Sequence, residues 1–239
     1  MQTMEHKASL WRDCLHFFYP DCCLCCGQRL IGTEKILCAD CLGRLTYTGY
    51  ENHERNPLNM RMKTKIPIRG ASALLHFNKE GVIQKLLHVL KYQKQSEVGL
   101  FLGRLAGLRL IGQTPFCEAD FLVPVPIHPK KLRKRGYNQS MLIAQGMNEI
   151  LRKEISGDLL IKQERTQSQT KKSREARWAN IQGSFCLNPE FLHEQRFHQQ
   201  HFLLIDDVVT TGATSASCCQ ELLKIPGSQV SFFAIAHPE

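Results

Sequence analysis

Two adjacent carboxylates, Asp206 and Asp207, close an apolar run, Phe202-Leu203-Leu204-Ile205, and are followed by Val208-Val209-Thr210-Thr211-Gly212-Ala213-Thr214. A carboxylate pair accepts hydrogen bonds from neighbouring hydroxyls. Backbone N–H groups and threonine hydroxyls at the start of a helix bind an anion. Together they suit a phosphorylated sugar, with Asp206 and Asp207 on its hydroxyls and residues 208–214 around its phosphate. A plain strand end, with an Asp turn and a threonine cap, is the competing reading. The apolar run before the pair and the Thr-Thr-Gly-Ala-Thr run after it favour the ligand.

A second phosphate-seeking stretch lies upstream. Five cations fall among the six residues from Lys130 to Arg135, with Pro124, Pro126 and Pro129 before them and Gly136 after. We read this stretch as a loop following a strand, with Lys130, Arg133 and Arg135 set to neutralise an anion and Asn138 capping the next helix. A solvated basic face is the alternative. His128 is either an acid or pyrophosphate contact or a turn histidine between prolines. Residues 165–180 are polar and basic, and a long polar segment inside an α/β unit reads as a lid. Lys171, Arg174 and Arg177 are its candidate pyrophosphate contacts, with a solvated loop as the alternative.

The third constellation is Cys22-Cys23-Leu24-Cys25-Cys26-Gly27 with Cys38-Ala39-Asp40-Cys41. Two C-x-x-C knuckles suit a closed tetrahedral four-thiolate zinc site, which is structural because no coordination position stays open. Cys22/Cys25 and Cys23/Cys26 both fit the first knuckle. Gly27 relaxes the turn directly after Cys26 and favours Cys23, Cys26, Cys38 and Cys41. A free-thiol cluster is the other reading. So small a module buries too little surface to fold without its metal.

These groups need elements to hold them. The apolar run at residues 202–205 reads as a buried parallel strand, which puts Asp206 and Asp207 at its C-terminal end, where open α/β sheets bind ligands. Further strands are expected near residues 71–77, 120–125, 158–162 and 230–236. Helices are expected near 10–18, 81–94, 97–110, 139–153 and 212–224. Alternating strands and helices give a parallel α/β sheet flanked by helices. The domain reading is a helix and cysteine module at 1–50, a polar linker at 51–69 and the α/β domain at 70–239.

The chain has 239 residues, 43% of them apolar, and a net charge of +9 from 31 basic and 22 acidic side chains. This excludes a disordered chain and favours anionic partners. Eleven cysteines, six of them between Cys22 and Cys41, point to metal and away from a disulfide framework. Residues 1–19 carry Glu5, Arg12 and Asp13 and hold no signal-peptide core. No stretch approaches the roughly 18 apolar residues of a membrane span. A soluble cytoplasmic protein without integral membrane contact is expected.

The string at 202–214 resembles the phosphoribosyl pyrophosphate (PRPP) signature of type I phosphoribosyltransferases. The whole set of motifs resembles the ComF family of competence-associated proteins. That set comprises the two cysteine knuckles, Lys91-Tyr92, Pro124-Val125-Pro126, residues 133–139, Gln169, Arg177, Asn180, Phe185 and residues 206–214. The resemblance implies a four-cysteine zinc ribbon joined to a type I phosphoribosyltransferase fold. It implies PRPP held with Mg²⁺, the acidic pair on the ribose hydroxyls and the 208–214 loop on the 5′-phosphate. It further implies a role in DNA uptake and natural transformation, with single-stranded DNA and other competence proteins as partners. The acceptor of any phosphoribosyl transfer stays open, with a non-catalytic PRPP sensor and a single-strand DNA binder as the alternatives.

Overall fold

The computed structural model describes residues 21–163, 184–191 and 194–238. Among them are seven strands: β1 (Gly70–His76), β2 (Phe121–Pro124), β3 (Glu154–Ile155), β4 (Leu160–Lys162), β5 (Phe185–Leu187), β6 (His201–Val208) and β7 (Gln229–His237). Seven α-helices accompany them: α1 (Ala39–Gly43), α2 (Pro57–Lys63), α3 (Val82–Tyr92), α4 (Ser96–Leu110), α5 (Pro129–Arg135), α6 (Gln139–Leu151) and α7 (Ala213–Leu222).

Five strands form one sheet in the order β1-β7-β6-β2-β3, and every pairing in it is parallel. The central strands are apolar on both sides because both sides are covered. Side chains alternate across a strand. Leu203, Ile205, Phe233 and Ile235 therefore enter a core shared with α3, α4 and α6. Phe202, Leu204, Phe232 and Ala234 enter a second core on the opposite face, shared with α2, α7 and the β4–β5 pair. Burying each of the large side chains contributes roughly 1.5–3 kcal/mol.

Helix α6 rests on α4 through small residues. A Cβ on Gly103 would lie 2.2 Å from the Ile143 carbonyl oxygen, and one on Gly146 would lie 2.1 Å from that of Leu100. The two backbones therefore meet directly. This close approach seats the N-terminus of α6, with Asn138 and Ser140, beside the end of β6.

Three expectations change. Residues 51–69 are more than a linker, since they carry α2, whose Leu58 and Met62 are fully buried. Asn56 caps α2 by accepting from the Asn59 N–H at 2.8 Å, and Pro57 starts it. The basic loop is helix α5, because His128 accepts from the Lys130 N–H and Pro129 occupies the first turn. Finally, the strand expected at 158–162 leaves the main sheet and pairs antiparallel with β5. The helix expected at 10–18 lies outside the described residues.

The cysteine module packs on the same core as the large sheet. Cys23, Leu37, Cys38, Cys41 and Leu45 belong to one apolar cluster with Leu74, Leu86 and Leu90. Thr48 N–H donates to the Leu74 carbonyl at 3.0 Å, and Lys85 Nζ donates to the Cys25 carbonyl at 3.0 Å.

Candidate functional site

Chain order and sheet order together locate a cleft. From β2 the chain crosses to β3 on one side, whereas from β6 it crosses to β7 on the other. Strands β2 and β6 are neighbours, so their C-terminal ends flank a topological switch point, the usual ligand crevice of an open parallel sheet. Asp206 and Asp207 stand there on β6. A cavity of about 190 Å³ opens beside them, lined also by Lys91, His128, Lys131, Arg135, Asn138, Ser140 and Lys162.

The two carboxylates have different surroundings. Asp207 pairs with Lys91, Nζ to Oδ2 at 2.7 Å. Asp206 Oδ1 accepts from the Ser140 hydroxyl at 3.3 Å and from the Asp207 N–H at 2.8 Å. Burial, and then the charge of Asp207, push the Asp206 carboxyl up to about 7, against smaller opposing effects of the Asp207 N–H, Lys91 and Ser140. Lys162 is shifted the other way, lowered by burial and by the neighbouring Lys131. The cavity thus sets an acceptor-rich wall against a wall of cations, which suits a ligand bearing both hydroxyls and phosphates.

The loop after the pair turns tightly into α7. Gly212, at φ 74°, adopts the left-handed conformation that glycine takes without strain. A side chain there would also meet Met62 Sδ at 2.8 Å. Helix α2 and Lys65, two residues past its end, brace the loop from outside. Arg61 donates to the Thr210 carbonyl at 3.2 Å and Lys65 Nζ to the Thr211 carbonyl at 2.9 Å. With those carbonyls engaged, Thr210 and Thr211 remain exposed beside the first turn of α7, a geometry that fits an anion.

At the other centre, Cys23, Cys26, Cys38 and Cys41 hold their sulfurs within 4.8 Å of one another. Cys26 Sγ and Cys38 Sγ are 3.6 Å apart. Zinc–sulfur bonds of about 2.3 Å in a tetrahedron put sulfurs about 3.8 Å apart, so the donor set fits the ion. Burial raises the Cys23 thiol, but the backbone N–H groups of Cys26, Cys38 and Cys25 outweigh it and bring it down to about 6. Burial and the three neighbouring sulfurs push Cys41 up instead. Four sulfurs crowded this closely could hold a metal ion. Cys22 and Cys25 stand outside the cluster.

No family model matches the chain. The DNA utilization protein YhgH of Escherichia coli K12 is 26% identical over 217 residues, covering 90% of this chain and 88% of that protein. Competence protein F of Haemophilus influenzae is 26% identical over 156 residues, covering 63% and 66%. This chain is thus similar to YhgH over most of its length and to competence protein F over about two thirds of it. Among solved structures, the adenine phosphoribosyltransferase of Leishmania tarentolae aligns over 81% of this chain and 94% of its own. It does so at 12% identity and a TM-score of 0.38, a likeness too low to bear on function.

Of the residues singled out from sequence, the structure brings Asp206, Asp207 and Arg135 to one cavity. Residues 208–214 run from the end of β6 into α7. Lys130 and Arg133 do not line that cavity. In a helix, positions four apart share a face, so Lys131 and Arg135 of α5 turn inward together while Lys130 and Arg133 turn away. Gln169, Lys171, Arg174 and Arg177 lie outside the described residues. Sequence reasoning missed Lys131, Lys162 and Ser140 as site residues. It noticed Lys91 only through its pairing with Tyr92 in the family resemblance. His128 serves as the cap of α5 and lines the cavity.

Proposed function

We propose that the chain binds PRPP at the β2–β6 switch point and acts in the cytoplasm on the handling of DNA during competence. The observation that carries the reading is the Asp206–Asp207 pair, set at the end of the central strand and facing cations from three separate elements, α3, α5 and β4. The ribose hydroxyls donate to the two carboxylates. The stretch at residues 210–214, with Thr210 and Thr211 exposed, takes the 5′-phosphate, and Lys131, Arg135 and Lys162 face the pyrophosphate. Mg²⁺ fits the donor set, because the carboxylates are hard oxygen ligands, and would supply further neutralisation of the phosphates when bound. The names of the relatives, DNA utilization and competence proteins, support the cellular role.

A transfer reaction at this site breaks the C1′–O bond to pyrophosphate and joins C1′ to a nitrogen or oxygen of the acceptor, whose proton is released. Here Lys131, Arg135 and Lys162 stabilise the departing pyrophosphate, in a cleft where such fixed charges act more strongly than in water. The four cysteines hold zinc as a structural clasp, with no open position for chemistry.

Calorimetric titration with PRPP and Mg²⁺ tests the reading. Wild-type protein binds, and the Asp206→Asn, Asp207→Asn double variant binds at least tenfold more weakly, about 1.4 kcal/mol. Absence of binding to the wild type, or equal binding to the double variant, overturns it. Pyrophosphate release in the same samples separates transfer from simple binding.

A further inference from the structure

A second basic cavity of about 270 Å³ adjoins the first and is lined by Lys91, Tyr92, Lys94, Lys131, Lys134 and Arg135. The two cavities share Lys91, Lys131 and Arg135, but only the first contains carboxylates. Lys91 is matched by Asp207. Lys94, Lys131 and Lys134 form no ion pair with any described residue. So many cations with so little opposing charge create a local potential that draws in anions. Lys94 and Lys134 line only the second cavity, so an anion held by them lies outside the site of the carboxylate pair.

The same cavity holds an aromatic surface. Tyr92, at the end of α3, is 62% exposed. Its ring lies 4.9 Å from that of His88, and the Arg135 guanidinium is 5.8 Å from its centroid. An exposed ring steadied by a neighbouring ring and a guanidinium, with lysines at its edge, matches the elements of a base-stacking platform beside a phosphate track.

We infer that this cavity is a nucleotide subsite: a phosphate sits between Lys94 and Lys134, and the attached base stacks on Tyr92. The inference goes beyond the PRPP reading and would stand if the carboxylate pair bound nothing. If both sites fill, the shared Lys91, Lys131 and Arg135 bring the nucleotide next to the phosphorylated ribose.

The test uses the full chain and two probes, deoxyadenosine monophosphate and a deoxyadenylate strand about ten nucleotides long, with fluorescence anisotropy for the strand and calorimetry for the mononucleotide. The strand binds the wild type, and its affinity falls with salt at a log–log slope of about −0.7 per phosphate contact. A Lys94→Asn, Lys134→Gln variant flattens the slope by about 0.7, one phosphate contact, and lowers affinity at least tenfold at low salt. Asparagine is chosen because Lys94 has φ 56° and asparagine tolerates that conformation. Tyr92→Ala weakens nucleotide binding about tenfold while leaving inorganic pyrophosphate unaffected. Asp206→Asn, Asp207→Asn does not weaken strand binding, since it frees Lys91 from its ion pair, and this separates the site from the PRPP site. Binding of both probes makes a free nucleotide sufficient, and binding of the strand alone assigns the site to nucleic acid. If neither probe binds, or if the Lys94, Lys134 and Tyr92 variants bind as the wild type does, the inference is overturned. All three side chains are exposed, so their replacement leaves the packed core intact.

Discussion

Replacing Asp206 with asparagine removes a charge that the fold holds unfavourably while keeping the hydrogen bonds around it. The asparagine Oδ1 can still accept from the Asp207 N–H and the Ser140 hydroxyl, which now reach Asp206 Oδ1 at 2.8 and 3.3 Å. What changes is the titration. An unfolded aspartate titrates near 4, whereas burial and Asp207 hold Asp206 at about 7. A carboxyl raised in this way costs the folded state nothing below the unfolded value. The cost grows as pH rises, because the unfolded chain ionises first, and it levels off above pH 7.

Linkage puts that cost on the order of 1–2 kcal/mol at pH 5 and roughly 4 kcal/mol at pH 8. Asp206→Asn is therefore expected to stabilise the protein, modestly at pH 5 and strongly at pH 8, while weakening the site. Urea unfolding of both proteins at the two pH values measures the difference, with the slope of each transition checked for constancy. Ligand affinity runs in the opposite sense. On the proposed reading, PRPP binding by the wild type is expected to strengthen between pH 6 and pH 8 as Asp206 ionises into an acceptor. A stability difference that is flat between pH 5 and pH 8, or a variant less stable than wild type at pH 8, refutes the electrostatic account.

The cysteine centre should contain one zinc ion per chain by atomic spectroscopy. Cys41→Ser loses the metal and lowers thermal stability, because the module shares its core with Leu74 and Leu86, whereas Cys22→Ser and Cys25→Ser retain it. Gly103→Ala forces a methyl to within 2.2 Å of a backbone oxygen of α6. It should cost about 3 kcal/mol by chemical denaturation, while Gly43→Ala, with nothing within 4 Å of its added methyl, costs nothing.

What the sequence revealed was local, and what it hid was tertiary. The β6–loop–α7 unit was legible because an apolar run, two carboxylates and a glycine hinge lie within thirteen consecutive residues. The cysteine centre was legible because its two knuckles are short and repeat one spacing. Asn138 was legible as a cap because it precedes the apolar periodicity of α6. The cations were misassigned because reading residues 130–135 as a loop removed the helical period that separates Lys131 and Arg135 from Lys130 and Arg133. Lys91 and Lys162 come from α3 and β4, far from residue 207 in the chain, and only the crossovers bring them to it. Helix α2 was hidden because its apolar residues are few, although Asn56-Pro57 is a start signal and Leu58 and Met62 are spaced one turn apart.

The arrangement at the switch point answers why two carboxylates in one place should be treated so differently. Asp207 has an ammonium at 2.7 Å, whereas the hydrogen bonds to Asp206 among the described residues come from a hydroxyl and an N–H. Extending the ion pairing to Asp206 would favour its charged form and fill the crevice with protein cations. Leaving it short of partners costs stability, but keeps one acceptor ready for a ligand's hydroxyls. Lys162 carries the mirror-image condition, with its charged form disfavoured by burial and by Lys131. A ligand that brings hydroxyl donors to Asp206 and phosphate oxygens to Lys162 relieves both at once. A sugar without phosphate relieves one, and an inorganic phosphate only the other. On the proposed reading, selectivity for a phosphorylated ribose follows from that paired deficiency more than from the shape of the cleft.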